Sequence, residues 1–144
     1  MSYHKLMLEN QTVFTKMVFE KLTEENLSVG QPKVLEYLFK NDGAVQKDIA
    51  KACLIEPATL TSLLSRMEKS GLIERKNKNG DKRYICVYLT KTGRKSGEKV
   101  VNRMSELEAV ALTGFSADET AQFISFLTRV NVNLMDKKEA DNIE

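Results

Sequence analysis

Apolar residues recur through the first stretch of the chain, Tyr3 to Thr23, at Leu6, Val13, Phe14, Met17, Val18 and Leu22. That spacing predicts an amphipathic helix with no Gly or Pro inside it. Glu24 to Gly30 interrupts the pattern, and Pro32 then stands where a first-turn proline belongs. Val34, Leu35, Leu38 and Phe39 form one face of a second helix, which Asn41-Asp42-Gly43 ends. Gln46 to Cys53 reads as a short helix with Ile49, Ala50 and Cys53 inward. Pro57 opens another, running to Ser70 and stopping at Gly71.

The period then changes. Leu72 to Lys76 is extended, Asn77-Lys78-Asn79-Gly80-Asp81 has turn composition, and Arg83 to Leu89 alternates with Ile85, Val87 and Leu89 on one face. A hairpin follows from that order. Thr90 can cap the next helix, which carries Val100, Val101, Met104, Leu107 and Ala111 towards Gly114. Ser116-Ala-Asp-Glu119 reads as a capping box for a last helix bearing Phe123, Phe126, Leu127, Val130 and Leu134. The polar tail, 137–144, is expected to fray.

Composition narrows the class without naming it. At 144 residues, 42% hydrophobic and 29% charged, the chain reads as a single globular domain, 1–144. Its apolar runs are too short to span a membrane, and its N-terminus has charges where a signal peptide needs an apolar stretch. The expected location is the cytoplasm, with no membrane partner. Two cysteines, Cys53 and Cys86, and one histidine, His4, do not furnish a zinc cluster, so neither metal nor cofactor is expected. None of the common nucleophile-elbow, phosphate-loop or zinc-protease motifs occurs, and no catalytic residue is assigned. Gly93-Arg-Lys-Ser-Gly97 resembles a glycine-rich loop only superficially, because it falls in the opening turns of a helix.

The net charge of +2 conceals a strong division along the chain. Residues 1–46 carry a net −1, residues 47–103 carry 14 Lys/Arg against 6 Asp/Glu for a net +8, and residues 104–144 carry a net −5. A basic middle between such flanks points to a polyanion.

The order of three helices and a basic hairpin is that of a winged helix-turn-helix, whose second paired helix fits the DNA major groove. In the helix 57–70, Leu60, Leu63, Leu64 and Met67 share the inward face. Ala58, Ser62, Ser65 and Lys69 lie opposite, flanked by Thr61 and Arg66, with Thr59 at the exposed first turn. Arg75, Lys76, Lys78, Lys82 and Arg83 crowd the hairpin, where self-repulsion is costly unless an anion binds. An arginine at the tip suits a narrow minor groove, and Asp81 would orient Arg83. Asp81 is equally a good turn former beside Gly80.

These residues carry a resemblance. The stretch from Pro57 to Arg75, PATLTSLLSRMEKSGLIER, followed by Asp81-Lys-Arg83 and Leu89-Thr-Lys-Thr-Gly93, resembles the MarR family of bacterial transcription regulators. Met67 departs from the family's usual leucine, a swap that packs without harm. The resemblance implies a mainly α fold with a small β-hairpin wing and N- and C-terminal dimerisation helices. The winged lobe would cover about 30–90, the dimerisation helices about 1–25 and 91–136. It implies a homodimer on a pseudo-palindromic operator in double-stranded DNA, acting as a repressor released by a small lipophilic or phenolic effector. Ala58, Thr59, Thr61, Ser62 and Ser65 would face the major groove, with Arg66, Lys78 and Lys82 in support. Arg83 would enter the minor groove, held by Asp81.

Two other readings stand beside this one. A winged helix also serves as a protein-interaction module, whose basic ribbon would meet an acidic partner. Some family members sense oxidants through a thiol in the first helix; this chain has none there. Cys53 falls on the inward face of a short helix, and Cys86 alternates with Ile85 and Val87 in a strand, both as free cysteines that commonly behave as small buried hydrophobes.

Overall fold

The computed structural model describes residues 1–143. It holds helix α1 (Tyr3–Glu20), a 3-10 turn (Thr23–Glu25), α2 (Gln31–Lys40), strand β1 (Ala44–Val45), α3 (Gln46–Cys53) and α4 (Pro57–Lys69). After these come β2 (Ile73–Lys78), β3 (Asp81–Leu89), α5 (Lys91–Ala111) and α6 (Ala117–Ile143). Two compact units divide the chain, Met1–Leu107 and the residues from Glu108 on. The mainly α architecture with a small antiparallel wing is the expected fold class.

In the first unit Val34, Leu35, Leu38, Ile49, Leu60, Leu64, Met67, Ile73, Val87 and Val100 are fully buried. Every element from α2 to α5 except the two-residue β1 thus contributes to one core. Val18 of α1 and Leu22 beyond it join that core. Leu22 lies in the stretch of about 1–25 that the resemblance implies for dimerisation, but it is buried in this core, and Phe14 and Met17 lean on the core as well. The apolar residues that α1 leaves exposed are Tyr3, Leu6, Met7, Leu8 and Val13.

The sheet has three strands in the order β1-β3-β2, all antiparallel. Sequence pattern predicts only the hairpin, because β1 is two residues long and shows no alternation. Ala44 pairs with Val87 and Val45 with Cys86, which covers the inner edge of β3 near α3. The turn is tighter than its composition suggests. Lys78 already pairs with Asp81, so only Asn79 and Gly80 remain, at φ 51° and 77°. Two successive left-handed residues, Asn then Gly, match the strand twist of a tight hairpin.

The passage from β3 to α5 is locked by Thr90. Its backbone N–H donates to the Leu72 carbonyl at 3.0 Å, its hydroxyl donates to the Gly71 carbonyl, and it accepts from the Gly93 N–H at 3.0 Å. Gly93 is required there: a Cβ on it would lie 1.8 Å from the Leu72 carbonyl oxygen. Two polar ties fasten α5 to the preceding helices. Arg103 donates from Nε and Nη2 to the Met17 carbonyl at 3.0 and 2.7 Å. Glu25 accepts from Ser96 and Lys99, which holds its carboxyl below the usual range, Lys99 being the main cause.

The second unit contains α6. Ser116 and Glu119 exchange hydrogen bonds at 2.9 and 3.1 Å, the predicted capping box. The helix continues through Lys137 to Ile143, where the polar composition suggests fraying; an ion pair between Lys137 and Asp141 at 2.9 Å, four residues apart, supports that last stretch. Glu144 lies outside the described residues. No residue of α6 is buried in the single chain, and Phe123, Phe126 and Leu134 are all exposed.

Candidate nucleic-acid interface

α3 and α4 are joined by a tight turn whose sharpness comes from Leu54. This residue adopts a left-handed conformation, φ 54°, and lets Ile55 N–H reach back to the Ala50 carbonyl at 3.0 Å. Leucine rarely occupies that region, and here its side chain is 71% exposed. Pro57 then starts α4 with its φ already helical.

α4 divides as the sequence predicts. Leu60, Leu63, Leu64 and Met67 are buried, while Ala58, Thr59, Thr61, Ser62 and Arg66 are exposed and Ser65 is partly so. The outward residues do not form one uniform strip. Ala58, Ser62 and Ser65 occupy its middle, with Thr61 on the flank towards α3. Thr59 and Arg66 sit on the other flank, where with Leu63 they line a crevice of about 410 Å³.

Two side chains hold this face in place, Gln46, which sequence reasoning missed, and Arg75, which it placed elsewhere. The Gln46 amide nitrogen donates to Thr61 Oγ1 at 2.7 Å, and Thr61 in turn donates to the Pro57 carbonyl at 3.0 Å. Ser65 donates to the Thr61 carbonyl at 3.0 Å and accepts from Arg75 Nη2 at 3.2 Å. Arg75 also pairs with Glu68 at 3.1 Å and is only 21% exposed. It therefore leaves the basic ribbon in which its sequence position placed it and becomes a strut between β2 and α4. Its guanidinium keeps the Glu68 carboxyl below the ordinary range. No local signal marks Gln46, which lies 15 residues from Thr61 in sequence.

The wing presents Lys78, Lys82 and Arg83 to solvent. Asp81 grips Arg83 through both carboxylate oxygens, Oδ1 to Nε at 3.1 Å and Oδ2 to Nη2 at 2.9 Å. It also accepts from the Arg83 backbone N–H at 2.9 Å. The side-chain bond lowers the Asp81 pKa and raises that of Arg83. Asp81 is thus turn former and brace at once. With its Arg83 side chain 83% exposed, the pair presents an oriented and unburied cation.

The crevice beside Thr59 and Arg66 is bounded by Phe14, Val18 and Phe19 of α1, Pro32 and Lys33 of α2, Ile55, and Met104 of α5. Both cysteines are free and buried, and burial raises the Cys53 thiol pKa. Among the described residues no group of three or more His, Cys, Asp or Glu could hold a metal, and no helix is long and apolar enough to cross a membrane.

A tight helix pair, an outward hydroxyl-bearing second helix and a cation-tipped hairpin define a winged helix-turn-helix protein. The model of the MarR family matches residues 27–85. The organic hydroperoxide resistance transcriptional regulator of Bacillus subtilis is 30% identical over 109 residues, 69% of this chain and 74% of its own. The regulator BilQ of Clostridium symbiosum is 26% identical over 128 residues, 89% of this chain and 87% of its own. Among solved structures, the complex of Staphylococcus aureus MepR with DNA aligns with a TM-score of 0.84 at 28% identity, over 93% of this chain and 98% of that one. The chain belongs to the MarR family.

Proposed function

We propose that this regulator binds a pseudo-palindromic operator as a homodimer, with α4 in the major groove and the wing tip in the minor groove, and that it represses transcription until a small molecule releases it. One observation carries the DNA geometry: the outward face of α4 and the Asp81-braced Arg83 are held on one core. On this reading Ala58, Thr61, Ser62 and Ser65 face base edges. Lys78 and Lys82 neutralise phosphates beside the Arg83 contact, and Thr59 and Arg66 stand at the flank, between the groove and the crevice. The exposed apolar residues of α1 and α6 form the two-fold interface. The protein acts by binding alone, in the cytoplasm.

The crevice supports the effector reading. Its volume of about 410 Å³ and mostly apolar lining suit a small lipophilic or phenolic molecule, with Lys33 and Arg66 as cations at its wall. Because α4 forms part of that wall, an occupant bears directly on the helix that meets DNA. It must prefer the DNA-incompetent arrangement, and a differential of about 1–3 kcal/mol weakens binding about 5–150-fold. A thiol switch is disfavoured by the burial of both cysteines and the raised Cys53 pKa, since the thiolate is the reactive form.

Footprinting and sedimentation test the dimer. A two-fold protected site with half-sites about 34 Å apart is expected, and a monomer that fully occupies one half-site refutes it. Titrating wild type and a Cys53→Ser/Cys86→Ser variant with a panel of phenolic compounds and with peroxide separates the switches. Release of only the wild type, and only by peroxide, replaces the ligand reading with the redox one.

A further inference from the structure

Resting on the placement of α4 in the major groove, we infer that Thr61 and Ser65 meet DNA as hydrogen-bond acceptors only, so that α4 selects amino bases, adenine or cytosine, on the strand it approaches. A serine or threonine hydroxyl has one proton and two acceptor sites, and when free it rotates to suit either kind of partner. Neither hydroxyl is free here. An arginine only donates, so Ser65 must accept from Arg75 at 3.2 Å, and its proton goes to the Thr61 carbonyl at 3.0 Å.

Thr61 is committed in the same way. The Pro57 carbonyl takes its proton at 3.0 Å, and the Gln46 amide nitrogen occupies one acceptor site at 2.7 Å. Turning the Gln46 amide over does not release the proton, because the amide oxygen would then compete for it with Pro57. In the arrangement observed, Gln46 Oε1 is buried and has no partner among the described residues. Each hydroxyl retains one acceptor site, and Thr61 and the partly exposed Ser65 both reach the surface.

Base chemistry converts this into specificity. In the major groove the adenine N6 and cytosine N4 amines donate, whereas guanine O6 and N7 and thymine O4 only accept. An acceptor-only hydroxyl facing guanine or thymine sets two acceptors against each other and leaves both unsatisfied. Thr61 and Ser65 lie four residues apart, which places them about 5–6 Å apart along one face. That separation corresponds to one or two base steps of 3.4 Å. The two residues therefore read a short amino-base pair of positions, with Gln46 and Arg75 setting the polarity from behind.

The test begins by selecting bound duplexes from a random library with the full-length protein. Every base pair carries one amino base, so the enriched half-site is next scanned for the two, one or two base pairs apart, whose amines meet Thr61 and Ser65. The exocyclic amine is then removed, using purine for adenine or pyrimidin-2-one for cytosine. Wild-type binding should fall about five- to tenfold, from the loss of one hydrogen bond with its partner left unpaired. At the base facing Thr61, a Thr61→Val protein should lose nothing further, while Thr61→Ser should behave as wild type. Ser65→Ala gives the same test at the other position. If no amine removal weakens wild-type binding, or if wild type and Thr61→Val lose equally at every amino base of the half-site, this inference is overturned and the groove placement is left intact. A library with no sequence enriched overturns the placement itself, and the inference with it.

Discussion

The recognition helix and the wing both offer polar groups to solvent, yet they are held by opposite means. In the wing, Arg83 is oriented by a residue two positions away, and the turn just before that residue is set by Asn79 and Gly80. In α4, Thr61 and Ser65 are fixed by Gln46 and Arg75, side chains from other elements. The wing is a local device that survives small displacements of its base. The face of α4 depends on the tertiary structure, so its chemistry changes whenever α3 or β2 moves against it.

The sharpest way to break this contrast is to unseat α4. Leu64 is fully buried, and Leu64→Ala should cost about 2–5 kcal/mol of unfolding free energy, read by denaturant titration. Specific DNA binding should be lost with it, while the hairpin turn, which needs no support from Leu64, stays formed by amide chemical shifts.

Arg83→Ala should show the reverse. Because the side chain is exposed, melting should stay within about half a kcal/mol of wild type. Operator affinity should fall by about 1–3 kcal/mol, measured by fluorescence anisotropy. Equal losses on operator and random duplex would show that Arg83 supplies charge without placement.

Arg75→Ala tests the tertiary brace. The pair with Glu68 is partly exposed, so only about 0.5–1 kcal/mol of stability is at stake. Discrimination between operator and random DNA should drop more than overall affinity, since Ser65 is set free. Unchanged discrimination would mean that the strut is structural and nothing more.

The smallest effect is in pH. Glu25 and Glu68 have pKa values lowered in the folded protein, by Lys99 with Ser96 and by Arg75 respectively. The unfolded chain therefore binds more protons around the ordinary glutamate value of 4.5, and stability rises with pH there. Their contribution is present above that value and is lost as pH falls through the lower folded pKa. Glu25→Gln should flatten the acid limb of a denaturation series, and an unchanged limb would count against the Glu25 contribution.

What the chain determined by itself was whatever rests on neighbours in sequence. Pro57 and the Leu60, Leu63, Leu64, Met67 period made α4 legible, inner face included. Asn79-Gly80 and Asp81-Lys-Arg83 made the wing and its brace legible, because turn angles and a two-residue ion pair need no distant partner. Ser116 and Glu119 did the same for the start of α6. Strand β1 was illegible, since two residues carry no period and pair only because β3 lies beside them. The tail read as frayed from polarity alone, although its charges pair one turn apart along the helix. Composition put Arg75 among the wing cations, and packing turned it towards Glu68 and Ser65. Leu22 falls in the stretch that the resemblance gives to dimerisation, and only the path of the chain after α1 carries it into the core. A hydrogen bond needs its partner within about 3 Å, and whether Gln46 comes that close to Thr61 is decided by how α3 packs on α4. Sequence specifies which groups can bond, and the tertiary structure decides which of them meet.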